Sequence, residues 1–294
     1  MRGLALAVAV ILGAMGLASC TPPGFTGYPT PSKVGTPAGW VAKRTVNGSI
    51  NVTRPGTVLQ DIRVNGDVNI KADRVVIRRA RIVGRVWTQW PSGSRLRQFS
   101  VTVADSVLGD PSGRLDAHTG EGTIGPGKYT IRRSELYGSD GFRVSKPQDG
   151  SRNNVLIEHN FFRSTKPSCD QGLHLDGVQG YFGGQNVTIF HNTIVTQSPC
   201  GVTGAIFFAD MSESATVYDN LLVADGYVLR IQDDHNPDRG PWVIMRNRIV
   251  STGFGPVAST ETQCGAKSMH WADNRLVTVD SHFNIRSLGR RVSC

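Results

Sequence analysis

The sequence predicts an all-β fold, a single-stranded right-handed parallel β-helix (a solenoid) with capped ends. Three observations carry this. Five segments repeat one pattern of alternating apolar residues, an Asn and a second short apolar run: VLIEHNFF (155–162), VTIFHNTIV (187–195), ATVYDNLLV (215–223), WVIMRNRIV (242–250) and MHWADNRLV (269–277). Their asparagines, Asn160, Asn192, Asn220, Asn247 and Asn274, are spaced by 32, 28, 27 and 27 residues, a period that belongs to solenoids and arrays. Between the runs lie Gly, Asn and Asp but no amphipathic stretch long enough for a crossover helix, which excludes βαβ units.

Taken in chain order, Met1-Arg2 followed by the apolar run Gly3–Ala18 reads as an export signal, too short for a good membrane span. It ends in Leu-Ala-Ser-Cys, and Cys20 is the expected lipidated first residue of the mature protein. The chain is therefore expected at the outer face of the cell membrane or secreted, touching the membrane only through this anchor. Residues 1–20 form the signal with lipobox. Residues 21–39, rich in Pro, Gly and Thr, are expected to be a flexible tether. Residues 40–294 are the β-helix domain.

Weaker copies of the repeat lie upstream, in YTIRRSELYG (129–138), FSVTVADSVLG (99–109), VVIRRARIVG (75–84) and TVLQDIRVNG (57–66). Ser134, Ser106, Ala80 and Asp61 fill the Asn position there. Stacked repeats lie about 4.8 Å apart, so an Asn recurring at one bend forms a column of side-chain amides that satisfies backbone groups. That role is structural, and it removes these asparagines from the catalytic candidates. The segment around Trp40 and the tail after Asp280 are the expected caps.

Cysteines test the register. Cys169 follows Asn160 by nine residues and Cys200 follows Asn192 by eight. Aligned repeats place them one layer apart, so Cys169–Cys200 is the expected bridge, leaving Cys264–Cys294 to tie down the C-terminus.

With that register, SDGFRVSK (139–146), LDGVQGYF (175–182), TGAIFFAD (203–210) and GYVLRIQDD (226–234) become neighbours in one sheet. Phe142, Val178, Ile206 and Leu229 point inward. Arg143, Gln179, Phe207 and Arg230 form an outward column. Asp140 and Asp176 stack at the strand starts beside His174, while Lys146, Asp210 and Asp233 gather toward the far ends. Tyr181, Phe182, Phe207 and Phe208 offer faces for sugar rings, joined by Tyr227 and by Trp87 or Trp90. The bland alternative for each Asp-Gly pair is a tight turn, with Gly supplying a positive φ; His174 is equally an ordinary surface imidazole.

The motif SDGFR (139–143) followed one repeat later by HLDGVQ (174–179), with VNGDVNIKADRVVIRRARIVG (64–84), resembles the secreted right-handed parallel β-helix repeat proteins of high-GC Gram-positive bacteria. These are related in architecture to polysaccharide lyases and glycoside hydrolases. The resemblance spans most of the mature chain and implies extracellular carbohydrate chemistry.

The formal charge of +9 points to an anionic partner. Scattered arginines without a binding motif argue against nucleic acid, leaving uronate-bearing or phosphate-bearing glycans or the membrane surface, of which an acidic polysaccharide is the expected partner. Two reactions follow. In a lyase, Arg143 and Arg230 neutralise a uronate, and His174 or Lys146 removes the proton on the adjacent ring carbon. In a hydrolase, Asp140 and Asp176 are the paired carboxylates. A third alternative is a glycan-binding scaffold without turnover. Gln179, Arg230, Tyr181 and Phe207 are the substrate-binding candidates. No cofactor is required, calcium on Asp176, Asp210 and Asp233 being the one alternative, and the chain is expected to act as a monomer.

Overall fold

A computed structural model describes residues 27–113, 122–165, 175–181, 183–197, 204–209, 211, 214–231, 240–258, 264 and 269–294. The expectations resting on Cys20, Cys169, Cys200, His174, Phe182, Asp210 and Asp233 lie outside these residues.

The described chain is all-β, with 29 strands arranged mainly in two long parallel sheets. Each full repeat contributes three short strands. In the repeat holding Asn192 they are Val187–Phe190, Thr193–Thr196 and Gly204–Phe208. The first pairs in parallel with Val155–Glu158 before it and Ala215–Tyr218 after it. The second pairs with Phe161–Ser164 and Leu221–Ala224, and the third with Asp176–Gly180 and Tyr227–Ile231. Three parallel faces result, termed here the first, second and third. The 8-residue strands Val58–Asn65 and Val75–Ile82 run round the corner and pair on both sides of it. They join the first two faces into one 18-stranded sheet, while the third is a 9-stranded sheet.

The corner between the first and second faces explains the repeat. At each one the backbone takes a left-handed φ, at Asp61, Arg79, Asp105, Arg133, His159, His191, Asp219, Arg246 and Asp273. Asp and His are among the residues that accept this region best. The next residue turns inward, and from Asn160 onward it is Asn, fully buried. The backbone N–H of Asn192 donates to Oδ1 of Asn220 (2.9 Å), and that of Asn220 to Oδ1 of Asn247 (3.0 Å). Asn220 Nδ2 in turn donates to the carbonyl of Ile189 (2.9 Å) and to Oδ1 of Asn247 (3.0 Å). Upstream, hydroxyls continue the column, with Ser106 N–H bonded to Ser134 Oγ (3.2 Å) and Ala80 N–H to Ser106 Oγ (3.1 Å). One alignment needs correcting. Ile62, not Asp61, pairs with Ala80; Asp61 is the left-handed corner residue, where it accepts a two-pronged bond from Arg79 (2.7 and 3.1 Å).

Inside, Ile77, Val103, Ile131, Ile157, Ile189 and Val217 stack in register, all fully buried. Each such side chain contributes about 1.5–3 kcal/mol of burial.

The termini cover the second face. Gly35 N–H donates to the Arg133 carbonyl (2.9 Å) and Lys43 N–H to that of Asp61 (2.7 Å). Val34, 7% exposed, joins a cluster with Val107, Tyr137 and Phe161. Tyr28 stacks on His191 and donates to Asp219 (3.1 Å). The described part of the expected tether, 27–39, is thus packed on the domain because its few apolar side chains find a groove there. Trp40 donates to Asp61 Oδ1 (3.4 Å) at the corner, and among the described residues Ile50–Val52 pairs only with the following repeat. At the other end the tail does close the stack: Ile285–Arg291 pairs antiparallel with Arg275–Val279, and Val292 N–H reaches the Asn274 carbonyl (2.8 Å). Cys264 and Cys294 form the expected disulfide, with Cα atoms 5.4 Å apart.

Asn220→Ala strands the Asn192 amide and the Ile189 carbonyl in the interior. The expected loss is about 3 kcal/mol of unfolding free energy in a urea titration, against under about 0.5 kcal/mol for Thr216→Ala on the partly exposed outer side of the first face.

Candidate functional site

The third face aligns the residues singled out in the sequence. Phe142 pairs with Val178, Val178 with Ile206 and Ile206 with Leu229, all pointing into the core. Arg143, Gln179, Phe207 and Arg230 are their outward neighbours in the same register. Four residues spread over 88 positions therefore stand in one line, because parallel pairing adds one strand spacing per repeat.

Within this line two interactions interlock. The Arg143 guanidinium donates to Gln179 Oε1 and lies over the Tyr181 ring (5.3 Å), while Arg230 lies over Phe207 (4.7 Å). Tyr181 and Phe207 meet edge to face at 5.8 Å. The result is a strip of two cations separated by two rings, in which Arg143, Tyr181 and Arg230 are half-buried while Phe207 and Gln179, at 6% and 8% exposure, are buried and offer a ligand little surface of their own. Beside it Tyr227, which opens the strand that carries Arg230, meets Phe254 of the following repeat (5.8 Å), the latter 78% exposed. Beyond them a hollow of about 460 Å³ is lined by Tyr227, Val257, Arg290 and Val292. Phe254 escaped the sequence reading because it sits in a Gly-flanked turn; its apolar ring beside Gly253 and Gly255 was the available signal.

Asp140 and Asp176 do stack one repeat apart, but they are buried, at 3% and 0% exposure. The Asp176 backbone N–H donates to Asp140 Oδ1 (2.9 Å). Gln179 Nε2 donates to one carboxylate oxygen of Asp176 (3.1 Å), and the other has no hydrogen bond among the described residues. Burial pushes the Asp176 carboxyl well above its usual range, and the Asp140 charge pushes the same way. The pull from Gln179, the Gly204 amide and Arg230 does not offset this. Burial also lowers the Arg143 guanidinium, opposed by Asp140, Tyr181 and Asp176.

Gly141 and Gly177 are not left-handed, so the tight-turn explanation with positive φ fails. A Cβ on Gly177 would meet the Ala205 carbonyl oxygen at 2.4 Å and the Ile194 methyl at 2.2 Å. Glycine is required there by close packing of adjacent layers.

Other candidates fall elsewhere. Lys146 is exposed just past Phe142–Val144. Phe208 is fully buried against Trp242 and offers no sugar platform. Trp87 and Trp90 are half-buried, capped by Arg85 (4.4 Å) and Lys71 (4.2 Å), Trp90 lying in the hairpin Gln89–Ser92/Arg95–Gln98. Among the described residues no three His, Cys, Asp or Glu side chains converge as a metal ion would require. A polar cluster that the sequence did not reveal lies on the corner. His191 Nδ1 meets Asp219 Oδ2 at 2.9 Å, and the His159 ring lies 4.9 Å from His191. Burial, and to a lesser extent His191, lowers the His159 pKa to about 4, so it is neutral near pH 7.

The raised Asp176 pKa has a sign that can be checked. Its folded-state pKa lies above the unfolded value near 3.8, so the folded chain holds a proton that the unfolded chain has lost. Stability from this group is full below the unfolded pKa and falls as pH rises toward the folded one. Asp176→Asn should therefore match wild type in urea midpoint near pH 3.5 and exceed it near pH 8. Equal midpoints at both would contradict the raised pKa of the buried carboxyl.

Comparison of the chain with protein-family models, with curated proteins and with solved structures finds no match.

Proposed function

We propose that the chain winds as a right-handed parallel β-helix, exported and anchored through Cys20, and that its third face binds an extended acidic polysaccharide and cleaves it by β-elimination. The observation that carries this reading is the in-register line of Arg143, Gln179, Phe207 and Arg230 with Tyr181 between the cations. Rings suit the apolar faces of sugars, and half-buried guanidiniums suit carboxylates, which they meet with paired donors. The strip runs along the stack, as an extended polymer requires.

In elimination, Arg143 or Arg230, which stand three layers apart and so meet different sugars of the chain, neutralises a uronate carboxylate and acidifies the proton on the neighbouring carbon. A base takes that proton, the electron pair forms a ring double bond, and the glycosidic C–O bond breaks, its oxygen taking a proton from water. Lys146 is the exposed candidate base, with His174 retained from the sequence. Asp140 is committed to a backbone amide and Asp176 is fully buried with its pKa raised by that burial, which argues against hydrolysis by that pair. The same burial favours a second reading, a glycan-binding scaffold without turnover.

Incubation with polygalacturonate or alginate separates these. Elimination predicts rising near-ultraviolet absorbance from unsaturated products, lowered on the order of a hundredfold in Arg143→Ala. Binding without absorbance selects the scaffold, reducing ends without absorbance select hydrolysis, and no binding to any uronate polymer contradicts the proposal.

A further inference from the structure

The second face is covered by both termini, whereas the first carries a shallow trough. Two hollows of about 460 Å³ each adjoin along it, sharing Thr130 and Asn154 in their walls. The floor is one outward column, in which Thr102, Thr130, Leu156, Thr188 and Thr216 pair in sequence. It spans four layer steps, about 19 Å. None of the four threonine hydroxyls takes part in a hydrogen bond among the described residues, so they stand ready for a ligand.

Charge decides what that ligand is. Arg74, Lys128 and Arg152 line one hollow, and no acidic side chain lines either. The flanking outward column adds Arg78 and Arg132 against one acid, Glu158. Arg74 and Lys128 both sit at left-handed φ (60° and 55°), immediately before their strands; Asn186 holds the same position two repeats after Lys128.

We infer that the first face is a second binding site for an extended acidic glycan, its anionic groups held by Arg74, Lys128 and Arg152 and its hydroxyls by the threonine column. The class of ligand is shared with the proposed function; the site is separate from it. Single-stranded nucleic acid fits less well because the trough lacks a stacking platform: Tyr129 in its wall is 1% exposed and spends its hydroxyl on the Arg143 carbonyl (3.1 Å).

The test uses the mature chain and polygalacturonate in low-salt calorimetry, with poly(dT) as the competing probe. Arg143→Ala/Arg230→Ala disables the third face and should leave a residual affinity. Adding Arg74→Asn/Lys128→Asn, substitutions that tolerate the left-handed backbone and keep the circular dichroism spectrum, should lower that residue at least tenfold, and Thr130→Asp should act likewise. The inference is overturned by a residual affinity unchanged by these substitutions, by none remaining in Arg143→Ala/Arg230→Ala, or by tighter binding of poly(dT) at the same site. Wild-type binding that is lost only on the third face overturns this site while leaving the proposed function intact; loss only on the first face does the reverse.

Discussion

The structure depends on one buried column of amide side chains at one corner. A left-handed residue bends the chain, and the residue after it is driven inside, where a backbone N–H from the neighbouring repeat would otherwise have no partner. Asparagine meets the need from both ends, since its oxygen accepts that N–H while its nitrogen donates to a carbonyl of the layer before. A slip of one residue would turn the amide outward and orphan both groups. Each repeat is thereby locked to the next, and every other column inherits the register.

That inheritance divides the three faces. The second is closed by Val34 and Tyr28 from one terminus and by Phe283 from the other, the last packed 5.7 Å from Phe161. The third gathers guanidiniums, rings and a buried acid of raised pKa. The first is lined with threonine and edged with cations. Asp176 shows the cost of such a surface: its carboxyl is buried, one oxygen has no hydrogen bond among the described residues, and burial raises its pKa, so ionising it as pH rises opposes folding, the sort of local conflict found where function overrides stability.

What could be read from the sequence follows from the same physics. The outward line from Arg143 to Arg230 was legible because Asn160, Asn192 and Asn220 mark successive repeats and each is followed by one further strand-like run, whose own alternation aligns Gln179, Phe207 and Arg230 although they lie 19, 15 and 10 residues past their asparagines. Where the amide gives way to Ala80 and Ile62 the mark disappears, and the alignment slipped to Asp61, whose polarity imitates it. Burial was less legible. Asp140 and Asp176 read as surface groups because spacing tells which wall a residue occupies but not how closely the layers close over it, which Gly141 and Gly177 permit. Phe208 follows Phe207 directly, and strand alternation sends it inward. The packing of residues 27–39 depends on contacts up to 191 positions away, such as Tyr28 with Asp219, which no local pattern encodes.

The most direct test of the central claim, that register assembles an acidic-glycan site on the third face, is a crystal structure of the chain with a galacturonate oligomer. The account predicts an oligomer lying along the stack, with a carboxylate in hydrogen-bonding reach of Arg143 or Arg230 and a sugar face against Tyr181 or Phe254. An oligomer bound elsewhere while this strip stays bare would contradict it.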